Sequence, residues 1–403
     1  DSLTLGNFAN TVTLNNVETI TGGTSSDVVT LGTAVSGVVN LGAGTDELVL
    51  GDFANSVTVS NIETLTGGTS SDVVTLGSAI TSGTIDLGAG TDTLNLGNFT
   101  HTLTLTNIET VNGGSSNDTV TLGSAFTGSI NLSSGTDTLT LGDYANTVTA
   151  TSIETITGGT SDDTIVFAAA ASGTVNLGAG TDAVTLGNFA NTLTISNVEA
   201  ITGGTSSDVV TLGSAVTSGS ISLGAGTDTL TLGAFANTVT LSNIETITGG
   251  TSDDIVTLGA AASGVVNLGA GTDELVLGDF ANTVTVSNVE TLTGGTSSDV
   301  VTLGTALSGS LDLDAGTDRL TLGNFANTVT ASNIETITGG TSSDVVVLAT
   351  ALSGVVNLGS GTDTLTLGDF ANTVTISNVE TITGGTSDDT VVLGAAVTSG
   401  AIN

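Results

Sequence analysis

Nine glutamates, Glu18, Glu63, Glu109, Glu154, Glu199, Glu245, Glu290, Glu335 and Glu380, recur at one phase of this chain, at intervals of 45 or 46 residues. One unit copied nine times leaves no single privileged place for a catalytic centre. It also dictates an elongated fold in which each unit buries its apolar surface against its neighbours. Within the unit from Val17 to Asn61, apolar and polar residues alternate in five short bursts: Thr19–Thr21, Val28–Leu31, Val38–Leu41, Glu47–Leu50 and Ser56–Val59. A period of two with β-branched enrichment predicts strands, and nothing in the unit follows a helical period. Gly22-Gly23, Gly32, Gly42-Ala43-Gly44 and Gly51-Asp52 punctuate the bursts as turns. Ile20, Val29, Val39, Leu48, Val57 and Leu65 fall at the inward positions, eight to ten residues apart.

Short strands and tight turns in long tandem wind into a solenoid whose coils pair in parallel, ~4.8 Å apart. The expected fold class is therefore all-β: a parallel β-solenoid (β-roll or β-helix) of nine tandem repeats of about 45 residues, one continuous array over 1–403. Three windings fit: two-sided coils of ~18 residues, two unequal coils per unit, or one wide coil. The likeness of Gly23–Gly32 to Gly42–Gly51 favours two coils per unit. Two intervals of 46 arise at Thr81-Ser82-Gly83 and Thr217-Ser218-Gly219, where a turn absorbs the extra residue. Asn403 has the phase of Asn40 and Asp1 that of Asp46, so the expectation is a window of a longer array, able to continue end to end.

Charge narrows the partners. One Lys+Arg against 39 Asp+Glu gives a net charge of −38. That balance argues against phosphate backbones and anionic lipid, and for cations. No apolar run is long enough to insert in a membrane. With no Cys, no Lys, one His and identical acids in every unit, no nucleophilic triad or differentiated carboxylate pair can be assembled, so the expectation is a non-enzyme. The chain is expected outside a bacterial cell or on its surface, exported without a signal peptide. The near absence of trypsin-type cleavage sites suits that life.

Each unit carries Gly-Gly-Thr-Ser-Ser/Asp-Asp (Gly22–Asp27) and Leu-Gly-Ala-Gly-Thr-Asp (Leu41–Asp46). These turns resemble the hemolysin-type (RTX) calcium-binding nonapeptide, GGxGxDxUx with U a large apolar residue. Ser25 stands where that pattern has its third glycine, and Leu41 replaces the leading one. The resemblance implies a parallel β-roll with Ca²⁺ held by turn aspartates and carbonyls. Its sixth position maps onto Asp27, Asp72, Asp118, Asp163, Asp208, Asp254, Asp299, Asp344 and Asp389. In the second turn it maps onto Asp46, Asp92, Asp137, Asp182, Asp228, Asp273, Asp318 and Asp363. The competing reading has each aspartate capping its own turn with its charge in water.

Three other series recur. Phe8, Phe53, Phe99, Tyr144, Phe189, Phe235, Phe280, Phe325 and Phe370 are expected to stack as buried plugs at a corner. Asn16, Asn61, Asn107, Asn197, Asn243, Asn288, Asn333 and Asn378, with Ser152 in the fourth unit, are expected to form an amide ladder. The nine glutamates are expected to solvate that corner and bind cations loosely. His101 replaces an asparagine (Asn55, Asn146), and Arg319 is expected to pair with nearby carboxylates. The functional expectation is a structural extracellular rod, fibre, surface layer or adhesin stalk, stiffened by calcium and associating with copies of itself end to end or laterally. The alternative is a binding module, for ice if threonine pairs form an unbroken array, or for carbohydrate if the aromatics are exposed.

Overall fold

The structure is a computed structural model describing residues 1–396 and 400–403. Its chain forms two compact units, Asp1–Gly204 and Thr205–Asn403. Each is an all-β parallel solenoid. In the first, β1 (Ser2–Thr4), β2 (Thr11–Leu14), β3 (Thr19–Thr21), β4 (Val28–Leu31), β5 (Ser36–Asn40), β6 (Glu47–Val49) and β7 (Ser56–Ser60) show the winding. The odd strands pair in parallel as one sheet, face I, and the even strands as the other, face II. One coil is thus two strands and two turns. It takes 17 residues from Ser2 to Thr19, 19 from Thr19 to Val38 and 20 from Val38 to Thr58.

Five strands per 45-residue unit and two strands per coil make two and a half coils per unit. The expected two coils per unit is therefore corrected: the winding has the shorter, two-sided coil. The physical consequence is parity. Each copy starts on the face opposite to its predecessor, as Glu18 precedes a face I strand and Glu63 a face II strand (Thr64–Gly68). The two faces are built from the same residues, offset by half a period.

All six predicted inward residues are buried, between 0% and 2% exposed. They stack into ladders, for example Val12, Val29, Leu48, Leu65, Ile85, Leu105 and Leu122 under face II. Burying such side chains contributes roughly 1.5–3 kcal/mol each. Where a ladder accepts the bulk of Phe167, its register neighbour is Ala150, a small-for-large exchange that keeps the layer full.

Outward positions stack as well. On face II of the first unit, Thr64, Thr84, Thr104, Thr121, Thr140 and Thr157 are successive register partners. Beside them Thr102, Thr119, Thr138, Thr155, Thr174 and Thr194 form a second unbroken column. In the second unit the corresponding columns are interrupted, by Val265 in one and by Val300 and Arg319 in the other.

Parity overturns the stacked aromatics. Within a compact unit, successive members lie on opposite edges, and members on the same edge are five coils, ~24 Å, apart. Phe53 to Phe370 are 36–42% exposed, each lying flat beside the turn glycine two residues before it, as Phe53 does against Gly51. The asparagine ladder fails for the same reason. Asn61 instead holds a left-handed turn (φ 54°), where Asn is tolerated and Ser152 (φ 52°) substitutes in the fourth unit. Its side chain donates to Asn40 Oδ1 one coil earlier, at 2.8 Å. Arg319 lies on a strand whose register neighbours are Val300 and Thr336, so the expected carboxylate partners are not beside it in the sheet.

Candidate functional site

The last residue of each turn, just before a strand begins, points inward at the corner between the faces. Following one corner of the first unit through successive coils gives Val35, Asn55, Asp72, Asp92, Glu109, Phe126, Asn146, Asp163, Asp182 and Glu199. This is a five-member cycle, apolar–Asn–Asp–Asp–Glu, that repeats every two sequence units. The opposite corner runs through the same cycle. Three series that look separate in sequence are therefore neighbours in one column.

A relay of hydrogen bonds ties the apolar, Asn and two Asp members to the next coil, and restarts after each Glu. Val35 N–H donates to Asn55 Oδ1 (2.9 Å). Asn55 donates to Asp72 Oδ1 from its backbone N–H and from Nδ2, each at 2.9 Å. Asp72 N–H donates to Asp92 Oδ1 (2.6 Å), and Asp92 N–H to Glu109 Oε2 (2.8 Å). Phe126 N–H then donates to Asn146 Oδ1 (3.0 Å), and the cycle restarts. The second unit repeats it from Val216 through Asn237, Asp254 and Asp273 to Glu290. These are backbone donors that the sheets cannot reach, so each acid satisfies an N–H that would otherwise be stranded at a dry bend.

Sixteen of the seventeen candidate aspartates, from Asp27 through Asp363, are 0–1% exposed. Asp389 is partly exposed and accepts from Asn372 N–H (3.0 Å) and Nδ2 (2.8 Å). The turn-capping reading of the aspartates is corrected. They cap the turn of the preceding coil rather than their own, and their charges do not face water. The glutamates, expected to solvate a corner, accept backbone N–H groups within it. The asparagine series Asn55, Asn146, Asn237, Asn282, Asn327 and Asn372 was missed as part of the site. His101 was its signal. The ring is 1% exposed; Nδ1 accepts Ile80 N–H (3.2 Å) and Nε2–H donates to the Leu96 carbonyl (2.9 Å). The same two roles fall to Asn146, whose Oδ1 accepts Phe126 N–H and whose Nδ2 donates to Leu141 O (3.4 Å).

Each of the sixteen aspartates keeps one buried oxygen, Oδ2, with no hydrogen-bond partner. Adjacent carboxylates one coil apart repel by ~3–4 kcal/mol if both are ionised at an effective dielectric of ~20. Burial, opposed by the Asp72 backbone bond and reinforced by the neighbouring acids Asp72 and Glu109, pushes Asp92 up to about 6. Burial first, then neighbouring charge, does the same for Asp118, Asp182, Asp273 and Asp318.

Calcium takes six to eight oxygens. At the Asp27–Asp46 corner, both Oδ1 atoms accept amide donors, and the Gly23 and Asp27 carbonyls accept Ala43 and Glu47 N–H at 2.8 and 2.9 Å. Two carboxylate oxygens are left without a donor, and among the described residues no three acidic or histidine side chains converge. This donor set does not fit a calcium shell. At Asp92, Asp118, Asp182, Asp273 and Asp318 the orphaned oxygen fits a proton, which removes the charge without displacing the relay. Asp182 separates the two functions. Asp182→Asn keeps the acceptor for Asp163 N–H and deletes the charge, so its urea midpoint at neutral pH is expected to equal or exceed that of the parent. Asp182→Ala strands that N–H and is expected to cost about 1–3 kcal/mol in the same titration.

No family model matches this chain, and no curated protein matches it. Among solved structures it is similar to the X-ray crystal structure of a hyperactive, Ca²⁺-dependent, β-helical antifreeze protein from an Antarctic bacterium. Identity is 19%, covering 74% of this chain and 80% of that one, with a TM-score of 0.20. At that score the likeness carries no inference about this chain.

Proposed function

We propose that this chain is a structural β-solenoid spacer of a bacterial cell surface, of the kind that forms a stalk, fibre or surface layer, and that it acts through stiffness rather than catalysis. The observation that supports this most directly is the corner relay. Within each unit the coils pair along both faces, and at four of every five corner positions a side chain adds a further bond to the next coil, so opening a coil there breaks both sets. The acids that would be expected to react are already committed to backbone donors. Absence of cysteine and near absence of Lys and Arg suit a thiol-free, protease-exposed setting.

The test uses the first unit alone as a ruler within the full chain. Ser56 and Thr202 are joined by eight coil-to-coil steps on face I. Since the chain has no cysteine, nitroxides at Ser56→Cys and Thr202→Cys report one distance by double electron–electron resonance. A narrow distribution near ~38 Å that chelator leaves unchanged is expected. A broad distribution overturns the spacer.

A second reading, that one face binds ice, is favoured by one observation: the two threonine columns on face II of the first unit are unbroken. The carbohydrate reading has exposed rings in its favour, but rings ~24 Å apart cannot stack on adjacent sugars.

A further inference from the structure

We infer that face II of the first unit, between Thr64 and Thr194, is an ice-binding plane, and that no other face of either unit carries a comparable one among the described residues. This deepens the second reading above and rests on it. The plane is a two-column lattice of threonine side chains, six in each column, side by side over the four strands Thr102–Thr106, Thr119–Leu122, Thr138–Thr140 and Thr155–Thr157.

The lattice constants come from the backbone. Hydroxyls repeat every ~4.8 Å from coil to coil and every ~6.6 Å along a strand. Parallel in-register pairing holds both spacings without slippage, because a one-residue slip would turn the buried Val120–Leu139–Ile156 ladder outward. Threonine is stiff at χ1, so its hydroxyl and methyl are held in position before any water arrives. Each hydroxyl offers one donor and two acceptor sites, enough to join a two-dimensional water network. Waters already ordered by such a surface lose little further freedom when they freeze into a lattice.

Charge points the same way. Neither column contains an ionised side chain, although the chain carries a net charge of −38; Asp86, on the same strand and face as Thr84, lies just outside them. An ionised group would orient its hydration shell around itself and break the lattice. A neutral, repeating, hydroxyl-and-methyl surface is complementary to a neutral, repeating solid. The equivalent columns of the second unit are broken by residues that lack the hydroxyl or carry a charge. One contains Val265, and the other contains Val300 and Arg319 in succession. On face I of the first unit the outward positions include Val38, Val73, Val166 and Ala183.

Thermal hysteresis and ice-growth arrest are measured on the full chain and on three variants. Thr121→Lys/Thr138→Lys places charges at the centre of the lattice. Thr121→Val/Thr138→Val keeps the shape and deletes only the hydroxyls, and serves if the lysine variant misfolds. Thr302→Lys makes the same charge change in the second unit. The expected result is a freezing–melting gap in the parent, reduced several-fold in both double variants at unchanged melting temperature, and retained in Thr302→Lys. A gap that survives both double variants overturns the assignment to this face while leaving ice binding standing. A parent with no gap overturns the ice reading and the plane together, and leaves the spacer untouched.

Discussion

In excess chelator, the melting temperature of this protein should fall as the pH is raised from about 4 to about 7. The direction is set by the corner aspartates. Asp92, Asp118, Asp182, Asp273 and Asp318 are pushed from an ordinary 3.8 up to about 6 by burial. Between those values the folded chain holds more protons than the unfolded one, so their stabilising contribution is complete below 3.8 and is lost as the pH rises through about 6. If each keeps only ~1 kcal/mol after solvent screening, the midpoint moves by roughly 10–20 °C. With calcium present and no chelator, corners that ligated the ion would give the opposite profile, because binding requires the ionised carboxylate and weakens in acid. Differential scanning calorimetry across this range decides between them. A midpoint that climbs with pH, or that drops when chelator is added at neutral pH, would refute the proton-filled corner.

Gly158→Ala should be among the most damaging single substitutions in the first unit. A Cβ there would lie 2.7 Å from the carbonyl carbon and Cα of Leu177, in contact with backbone on the next coil. Those atoms cannot retreat, because Gly158 N–H donates to Asn176 O (2.7 Å) on the same coil. Only separation of the coils makes room, at about 3 kcal/mol or more. Gly32→Ala is the internal control. Its added methyl meets the exposed Asn15 side chain, which is free to turn aside, and lies 3.3 Å from the Thr13 methyl, which need give only slightly, so a change within about 0.5 kcal/mol is expected. Equal losses in the two urea titrations would show that coil-to-coil backbone contact does not limit stability.

The strands were legible because they rest on local alternation. Val28–Leu31 matches its predicted bounds, and Ile20, Val29, Val39, Leu48, Val57 and Leu65 are all buried. The winding was not, because spacing along the chain identifies a residue's covalent neighbours and not the residue stacked above it. Asn55, Asp72, Asp92 and Glu109 are separated by 17, 20 and 17 residues, numbers that mean adjacency only once the coil length is known. The same gap produced the stacked phenylalanines, which a whole-number winding would have placed one above another. The aspartates were found by type and spacing, but their role depends on a backbone donor from another coil, and no motif encodes that donor.

Two and a half coils per copy also sets a rule for how such an array can change. Gaining or losing a single copy by recombination would turn every later segment of that solenoid back to front, carrying whatever had accumulated on one side to the other. Only exchanges of two copies at a time preserve which way a surface looks. A one-sided feature such as the threonine plane can therefore be lengthened by pairwise duplication or by point substitution, and an odd number of insertions would split it between opposite sides.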